Sequence, residues 1–465
     1  MNRLQQASEK IQPKIPSEIR AMAEVFSRHG YRCLPVGGAL RDILLDRTVG
    51  DFDLATDAHP EEVIRIFPHA RVVPTGLKHG TVTLVGRDRA YEITTFRTES
   101  GYADHRHPDA VGFTTSLEDD LSRRDFTVNA LALDLSTGVL SDLFDGLGDI
   151  ADKTLRTIGD PGERFREDAL RMMRCCRFAA TLGFRIEERT FDAIRENASL
   201  LSQVSQERIR DELLKIIGSP QPSIGFEAMR RTGLLALVLP ELLEGFEMQQ
   251  NKYHRFDVYT HNIRSCDAAA GLTDDLAVRM AALLHDTGKA RTIRPEPDGE
   301  NTFYNHEIVG ASMAWQILRR LRCSNAFTEK VCRLVKNHMF HYTELWTDSA
   351  VRRFMRKTED IMDEIFALRE ADRIGSGKRT GPSRILEDLK VKIEHERKAQ
   401  SAFKITDLAL GGNDIMRILS IPPSPRVGRV LAELLEQVLE NPDLNTPERL
   451  EELIRKMPDP TGSGR

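Results

Sequence analysis

The sequence predicts an α+β protein, with a mixed α/β head followed by a long all-helical body. Three observations predict it. Between about 31 and 135, short β-like runs alternate with turns. Val82 and Leu84, then Tyr91, Ile93 and Thr95, keep the period of two expected of strands, and Gly76, Gly80 and Gly86 punctuate them. Beyond about Asp160 the apolar spacing becomes helical almost throughout. At 465 residues the chain is too long for one ordinary core, so about two to four domains are expected.

Taken in order, residues 1–30 read as a helical N-terminal extension, 31–155 as the head, 156–255 as a helical neck, 256–380 as a second helical domain and 381–465 as a helical tail. In the tail Val427, Val430, Leu431, Leu434, Leu435, Val438 and Leu439 follow i, i+3, i+4, i+7 spacing, the stripe of an amphipathic helix. Pro422-Pro423-Ser424-Pro425 marks the turn before it, and a short Gly/Pro-rich run closes the sequence at 458–465.

Hydrophobic and charged contents of 40% and 29% describe a globular chain. No apolar run approaches the ~20 residues of a membrane span. The opening MNRLQQASEKIQPKIP has no apolar core of a signal peptide. Six cysteines, with Cys175 and Cys176 adjacent and no C-x-x-C, fit reduced thiols and a cytoplasmic location. A net charge of −5, from 66 basic and 71 acidic residues, excludes a uniformly basic nucleic-acid binder. It leaves room for local basic surfaces at Arg123-Arg124, Arg171/Arg174/Arg177, Arg319-Arg320-Leu321-Arg322 and Lys378-Arg379.

Two strings in the head carry chemistry. Val36-Gly37-Gly38-Ala39-Leu40-Arg41-Asp42 puts two glycines between an apolar strand and a helical run. Glycines there let backbone approach a ligand closely, and the first turn of the helix offers free N–H groups to phosphate. Gly50-Asp51-Phe52-Asp53-Leu54 follows. On a strand Asp51 and Asp53 project to one face, with Phe52 and Leu54 on the other. Neighbouring carboxylates repel unless a cation lies between them, and hard oxygen ligands suit Mg²⁺ held jointly with substrate phosphates. Two such ions ~3.5–4 Å apart can activate an attacking hydroxyl and neutralise a leaving pyrophosphate. An isolated D-x-D is an ordinary turn; the Gly-Gly-x-x-Arg before it sets this one apart.

These strings, together with Leu121-Ser122-Arg123-Arg124-Asp125-Phe126-Thr127-Val128-Asn129-Ala130, resemble the class II tRNA nucleotidyltransferases, whose catalytic head is related to DNA polymerase β and is shared by bacterial poly(A) polymerases. The resemblance implies that Gly38 and Arg41 touch the nucleotide, Asp51 and Asp53 hold Mg²⁺, Arg124 binds the triphosphate and Asn129 lies near the ribose. Glu92, on the predicted strand 91–96, is a candidate third carboxylate.

Glu167-Asp168-Ala169-Leu170-Arg171 is predicted to open a helix that presents Asp168 and Arg171 side by side as i, i+3 neighbours. Cytosine and adenine each show an amino donor next to a ring-nitrogen acceptor, and guanine and uracil show the reverse. A carboxylate accepting from the amino group and a guanidinium donating to the ring nitrogen therefore suit C and A. Buried sites of this kind discriminate by ~10⁴ or more. The same E-D-x-x-R string serves as the protein template in the class II family, which implies that Asp168 and Arg171 read the base while Arg174 and Arg177 support nucleotide binding. The polar, turn-rich segment 96–108 resembles the family's flexible loop that accompanies the switch from C to A addition. The segment 74–82 also looks like the tRNA enzymes.

In the second helical domain, His261 and the string Leu283-Leu284-His285-Asp286-Thr287-Gly288-Lys289 precede His306, His338 and Asp372 at intervals typical of separate helices. Adjacent His and Asp can share a divalent cation through imidazole nitrogen and carboxylate oxygen. The series resembles HD-domain metal-dependent phosphohydrolases. It implies His261, His285, Asp286 and Asp372 as ligands of a divalent metal of unspecified identity, and His306 and His338 for a second ion. Leu410-Gly411-Gly412-Asn413-Asp414-Ile415 and the helix after it resemble the family's tRNA-binding tail, although P-P-S-P-R-V-G stands where a shorter Pro-Gly-Pro turn is common.

The expected function is template-independent addition and repair of the 3′-terminal CCA of tRNA from CTP and ATP. A poly(A) polymerase or an enzyme adding A alone is the alternative. The expected partners are the tRNA acceptor end and the two nucleotides, with no membrane and no obligatory protein partner.

Overall fold

A computed structural model describes residues 2–68, 70–76, 80–86, 89–100, 110–250, 254–297, 300–340, 342–343, 345–378, 383–398 and 404–457. Of the features singled out above, Leu77-Lys78-His79, the 101–108 part of the polar loop, Arg379 and the Gly/Pro-rich end lie outside these residues. The chain forms two units, Met1–Glu244 with Gln316–Ser324, and Gly245–Trp315 with Asn325–Arg465.

The first unit is built on a seven-stranded mixed sheet in the order β3-β4-β5-β2-β1-β8-β9. Its strands are β1 (Cys33–Val36), β2 (Asp53–Thr56), β3 (Arg71–Gly76), β4 (Thr81–Val85), β5 (Ala90–Thr95), β8 (Leu131–Leu133) and β9 (Leu140–Asp142). Within this sheet, among the described residues, β2 and β5 run parallel and the other neighbours antiparallel. Both faces are covered. Leu54, Leu131 and Leu133 point to one apolar layer, while Ala55 and Ala132, their chain neighbours, point to the other. The first layer is completed by α1 (Arg3–Ile11), α2 (Ser17–Arg28), α3 (Gly38–Leu44) and α4 (Pro60–Ile66), through Ile11, Ile19, Phe26, Leu40 and Val63. The N-terminal helices therefore belong to the core of the head, and Ser8 donates to the Gly138 carbonyl at 2.6 Å.

The segment 96–108 is not loop throughout. Arg97–Ser100 forms β6, paired antiparallel with β7 (Ala110–Phe113) from Arg97↔Phe113 to Ser100↔Ala110. Its backbone groups find ladder partners that polar side chains alone do not predict. Short helices α5 (Leu117–Ser122) and α6 (Gly146–Ala151) flank the sheet. The unit continues as helices: α7 (Pro161–Glu167), α8 (Leu170–Leu182), α9 (Glu188–Asn197), α10 (Gln206–Ile217), α11 (Pro222–Thr232), α12 (Leu234–Val238) and α13 (Pro240–Leu243).

The second unit is helical, with one two-stranded ribbon (Arg294–Pro295 and Asn301–Thr302). Its helices are α14 (Val258–Leu272), α15 (Leu276–Leu284), α16 (Lys289–Thr292), α17 (His306–Arg320), α18 (Asn325–Asn337), α19 (Asp348–Thr358), α20 (Met362–Gly375), α21 (Arg384–Lys398), α22 (Gly412–Leu419), α23 (Pro425–Glu440) and α24 (Pro447–Lys456). The last residues of α17 count with the first unit. Helix α15 is buried from Ala277 to Leu284, as an all-round apolar helix must be. Helices α14 and α20 approach closely because Gly375 has no side chain; a Cβ there would lie 2.2 Å from Ser265 Oγ. In α23 the predicted stripe is the buried face, with Val430, Leu434, Leu435, Val438 and Leu439 inside. Arg352 of α19 caps that helix, donating to the Leu439 carbonyl at 2.7 Å while pairing with buried Glu396 at 2.8 Å. No helix among the described residues is long and apolar enough to cross a membrane.

Candidate functional site

In the head, burial alternates from Phe52 through Leu54, with both inside and with Asp51 and Asp53 on the open face. Strand β2 begins at Asp53, so Asp51 precedes the paired residues, yet the alternation runs through it. Glu92 of β5 is in register with Asp53 on the parallel neighbour and is likewise exposed, which sets a third carboxylate beside the pair. Burial pushes the Asp53 carboxyl above its ordinary range, Asp51 adds to the effect, and Arg124 opposes it. Neighbouring carboxylates repel each other unless a cation lies between them, and oxygen-only donors fit Mg²⁺.

Asp51, Asp53, Gly38, Arg41, Arg124, Asn129, Asp168, Arg171, Arg174 and Arg177 all line one cavity of about 590 Å³. Glu92 is not among its lining residues. Gly37, at the entry to α3, has φ +77°, and a Cβ on it would meet Arg124 Nη1 at 3.0 Å. A side chain there would therefore be strained and would crowd the guanidinium that lies next to Asp53.

The arginines are held by a connected set of carboxylates. Arg41 donates to Asp42 at 2.9 Å and also to Asn129. Asn129 donates to Asp125 at 3.0 Å, and Arg174 Nε donates to the other oxygen of Asp125 at 2.8 Å. Burial would raise the Asp125 carboxyl, but Arg174 and the Asn129 amide hold it down to about 2. Arg41, Arg174 and Arg177 gather round the Phe178 ring, at 5.1, 5.6 and 4.1 Å from its centroid. Arg177 also lies 3.0 Å from Glu212, although that contact lacks hydrogen-bond geometry and leaves its Nε without a partner. Arg123 and Arg124 share the fully buried Asp120. The Nε of Arg124 is buried with no partner, a donor available to an anion.

Asp168 and Arg171 reach the cavity, but not as a pair on one helix. Asp168 sits in an extended conformation between α7 and α8, where its Oδ1 accepts from the Leu170 amide at 3.0 Å. That local bond competes with helix continuation, so α8 starts at Leu170. Its Oδ2 accepts from Arg208 at 2.8 Å. Arg171 donates instead to Glu167 at 2.6 Å and to the Arg123 carbonyl at 3.0 Å. Each keeps spare capacity, since an ionised carboxylate has about four lone-pair sites and a guanidinium five N–H donors. Arg208, Asp125 and Phe178 were not assigned from the sequence. Asp125 stood inside a quoted motif, whereas no local spacing ties Arg208 to Asp168, 40 residues away.

In the second unit His261 (α14), His285 and Asp286 (following α15), His306 (α17), His338 (following α18) and Asp372 (α20) come together, all buried. The Nδ1 atoms of His285, His306 and His338 lie 2.9, 2.7 and 2.7 Å from the carbonyls of Ala282, Phe303 and Val335. A carbonyl only accepts, so each Nδ1 carries a proton, and in the neutral ring Nε2 is the nitrogen that offers a lone pair to the interior. His261 and His285 meet through Nε2 at 3.1 Å, and His306 and His338 at 3.3 Å.

Asp286 stands between these two histidine pairs. Its Oδ2 is 3.3 Å from His261 and 3.5 Å from His285, and its Oδ1 is 3.3 Å from His306 and 3.7 Å from His338. Asp372 Oδ1 adds contacts of 3.3 and 3.7 Å to His261 and His285. Burial would raise both carboxyls, but Lys289 beside Asp286 and His261 beside Asp372 hold them well below the usual range. Against its own burial, His261 is raised to about 9 by Asp286 and Asp372. Imidazole nitrogens and carboxylates converging in a dry interior are a donor set that a divalent cation fits, in competition with protons. His254, which the sequence did not single out, brings a ring nitrogen into the same group.

A mixed sheet that sets two aspartates at the mouth of an arginine-lined cavity, ahead of a helical body, is the arrangement of a nucleotidyltransferase. Residues 33–156 match the Poly A polymerase head domain, 183–245 the probable RNA and SrmB-binding site of polymerase A, and 258–376 the HD domain. The chain is 33% identical over 446 residues to the CCA-adding enzyme of Enterococcus faecalis, covering 95% of this chain and 97% of that one. It is 35% identical over 447 residues to that of Lactococcus lactis subsp. cremoris, covering 92% and 94%. The structure of the Bacillus stearothermophilus CCA-adding enzyme in complex with CTP superposes with a TM-score of 0.74 at 28% identity, over 98% of each chain. The Thermotoga maritima enzyme complexed with tRNA shares the fold, with a TM-score of 0.59 at 19% identity over 97% of this chain and 98% of that one. The chain belongs to the CCA-adding enzymes, as a class II tRNA nucleotidyltransferase that carries an HD domain.

Proposed function

We propose that this enzyme builds and repairs the 3′-terminal CCA of tRNA from CTP and ATP, releasing pyrophosphate, with Asp51 and Asp53 as ligands of Mg²⁺ and Glu92 as a further carboxylate beside them. The observation that carries this reading is the convergence of Asp51, Asp53, Arg124, Asp168 and Arg171 on one cavity. Mg²⁺ bound there would supply charge neutralisation and acidify the attacking hydroxyl. The chain's own residues do the rest. Arg124, with its unpartnered Nε, grips the triphosphate, and Arg41, Asn129, Arg174 and Arg177 fix the nucleotide around Gly38 and the Phe178 ring. Asp168 accepts from the amino group of C or A, and Arg171 donates to the adjacent ring nitrogen. Because these groups are held by Arg208, Glu167 and backbone, they need not reorganise when a nucleotide arrives. The test incubates the protein with tRNA lacking CCA and each of four labelled nucleotides, with and without Mg²⁺. Incorporation of A without C would replace this reading with an A-adding enzyme.

We further propose that the His/Asp cluster is a divalent-metal centre that hydrolyses phosphate esters, including 2′,3′-cyclic ends of damaged tRNA. His261, His285, Asp286 and Asp372 would hold the metal, and His306 and His338 would serve a second ion. Metal bound there would supply Lewis acidity toward a phosphoryl oxygen. Lys289, bonded to Asp286 and to Gln250 at 2.7 Å, holds that carboxylate between the two histidine pairs. Retention of phosphodiesterase turnover in His285→Ala and Asp286→Ala would overturn the assignment.

A further inference from the structure

We infer that His254 is an additional ligand of the cation held by His261, His285, Asp286 and Asp372, and that this centre selects a first-row transition metal over Mg²⁺. The inference rests on the reading of the His/Asp cluster as a metal centre. His254 precedes α14, the helix that carries His261. One ligand atom each from His254, His261 and Asp286 lie within 4.8 Å of one another, close enough to share an ion. Its ring stands edge-on to that of His261, with centroids 5.0 Å apart and planes at 83°.

Gln250 and Arg255, on either side of His254 in the chain, are tied to the walls of the centre. Gln250 accepts from Lys289, the lysine on Asp286, and donates to the Phe256 carbonyl at 3.2 Å. The Arg255 amide donates to the Ser376 carbonyl at 3.2 Å, just past the end of α20, which carries Asp372. The four other histidines of the cluster are buried, whereas His254 is half-buried, at the more open side of the cluster.

A set of two carboxylates and three imidazoles differs in kind from the Asp51/Asp53 pair. Imidazole nitrogen suits Zn²⁺, Ni²⁺, Fe²⁺ or Co²⁺, and oxygen-only sites suit Mg²⁺. The two metal sites of this enzyme would then draw on different ions, and Mg²⁺ supplied for nucleotide transfer would leave the HD centre undisturbed.

The test titrates Co²⁺ into the metal-free full-length protein and follows the visible d–d absorption. The wild type, His254→Ala, His254→Gln and His285→Ala are compared, and the unfolding midpoint of each metal-free variant serves as the folding control. Loss of a direct ligand is expected to weaken Co²⁺ at least as much as the ~100-fold that loss of an orienting partner can cause, and to move the absorption band. Excess Mg²⁺ should not displace Co²⁺ from the wild type. In the wild type itself, isotope-labelled histidine should give a Co²⁺-shifted ring resonance from His254, an outcome independent of how the variants fold. Equal affinity and spectrum in wild type and His254 variants would overturn this inference and leave the metal centre standing. Weakened binding with an unmoved band, or no shifted His254 resonance, would overturn ligation. Displacement by Mg²⁺ would overturn the selectivity. Failure of the wild type to bind Co²⁺ would overturn the metal-centre reading itself.

Discussion

Replacing Asp168 with Asn tests base selection most directly, because it keeps the size of the side chain and changes only its hydrogen-bonding character. The Asp168 carboxylate spends one bond on the Leu170 amide and one on Arg208, which leaves acceptor capacity toward the cavity. A charge-assisted bond from that carboxylate to the amino group of C or A is worth about 1.5–3 kcal/mol, or about 10- to 150-fold in kcat/KM. Asn keeps one acceptor oxygen but adds an N–H₂ that can donate to the carbonyl of U or G. Discrimination should therefore relax from both sides. The assay is kcat/KM for CTP, ATP, UTP and GTP on tRNA lacking CCA. Arg208→Gln is the comparison, since it loosens the restraint on Asp168 while keeping the carboxylate itself, and should cost less selectivity than Asp168→Asn. A parallel fall for all four nucleotides in Asp168→Asn would reduce the residue to structural support. An unchanged preference would refute the base-reading assignment.

Asp53→Ala should cut nucleotide incorporation by at least ~10²–10³-fold while sparing the phosphodiester hydrolysis proposed for the HD centre, measured on the same preparation. In Asp125→Asn a buried carboxylate is lost that Arg174 and Asn129 hold down to about 2 against an ordinary 3.8. That depression corresponds to about 2 kcal/mol of stability, fully present above the unfolded value and lost as pH falls through the folded one. The gap in urea stability between wild type and variant should accordingly be constant near neutrality and narrow below about pH 4. A gap that widens on acidification would reverse the assignment. Arg352→Ala leaves buried Glu396 without its ion-pair partner and removes the cap on α23. About 3–5 kcal/mol of stability should be lost, seen as earlier thermal unfolding of the helical unit.

Much of the site was legible in the chain because its chemistry is carried by short strings. The glycines before α3, the Asp51/Asp53 alternation and the His285-Asp286 pair are covalently close, so local backbone geometry alone sets their relative placement. The partners that hold these groups were not legible. The spacing places Asp168 beside Arg171 on one helix, whereas in the structure it lies before α8, accepts from the Leu170 amide and pairs with Arg208. The helical extension at 1–30 carried no sign that Ile11, Ile19 and Phe26 belong to the core of the head. Apolar side chains advertise burial but not the surface that buries them.

Periodicity and turn residues gave, from the sequence alone, the α+β class, and the short motifs, through the family resemblance they carry, implied the two groups of residues on which catalysis is proposed to rest. Tertiary packing decided which distant carboxylate restrains each arginine, that Asp286 stands between two histidine pairs, and that His254 joins them. Such choices depend on the meeting of segments far apart in the chain. The energy of each meeting comes from shape, desolvation and hydrogen-bond geometry, which arise only when the segments touch.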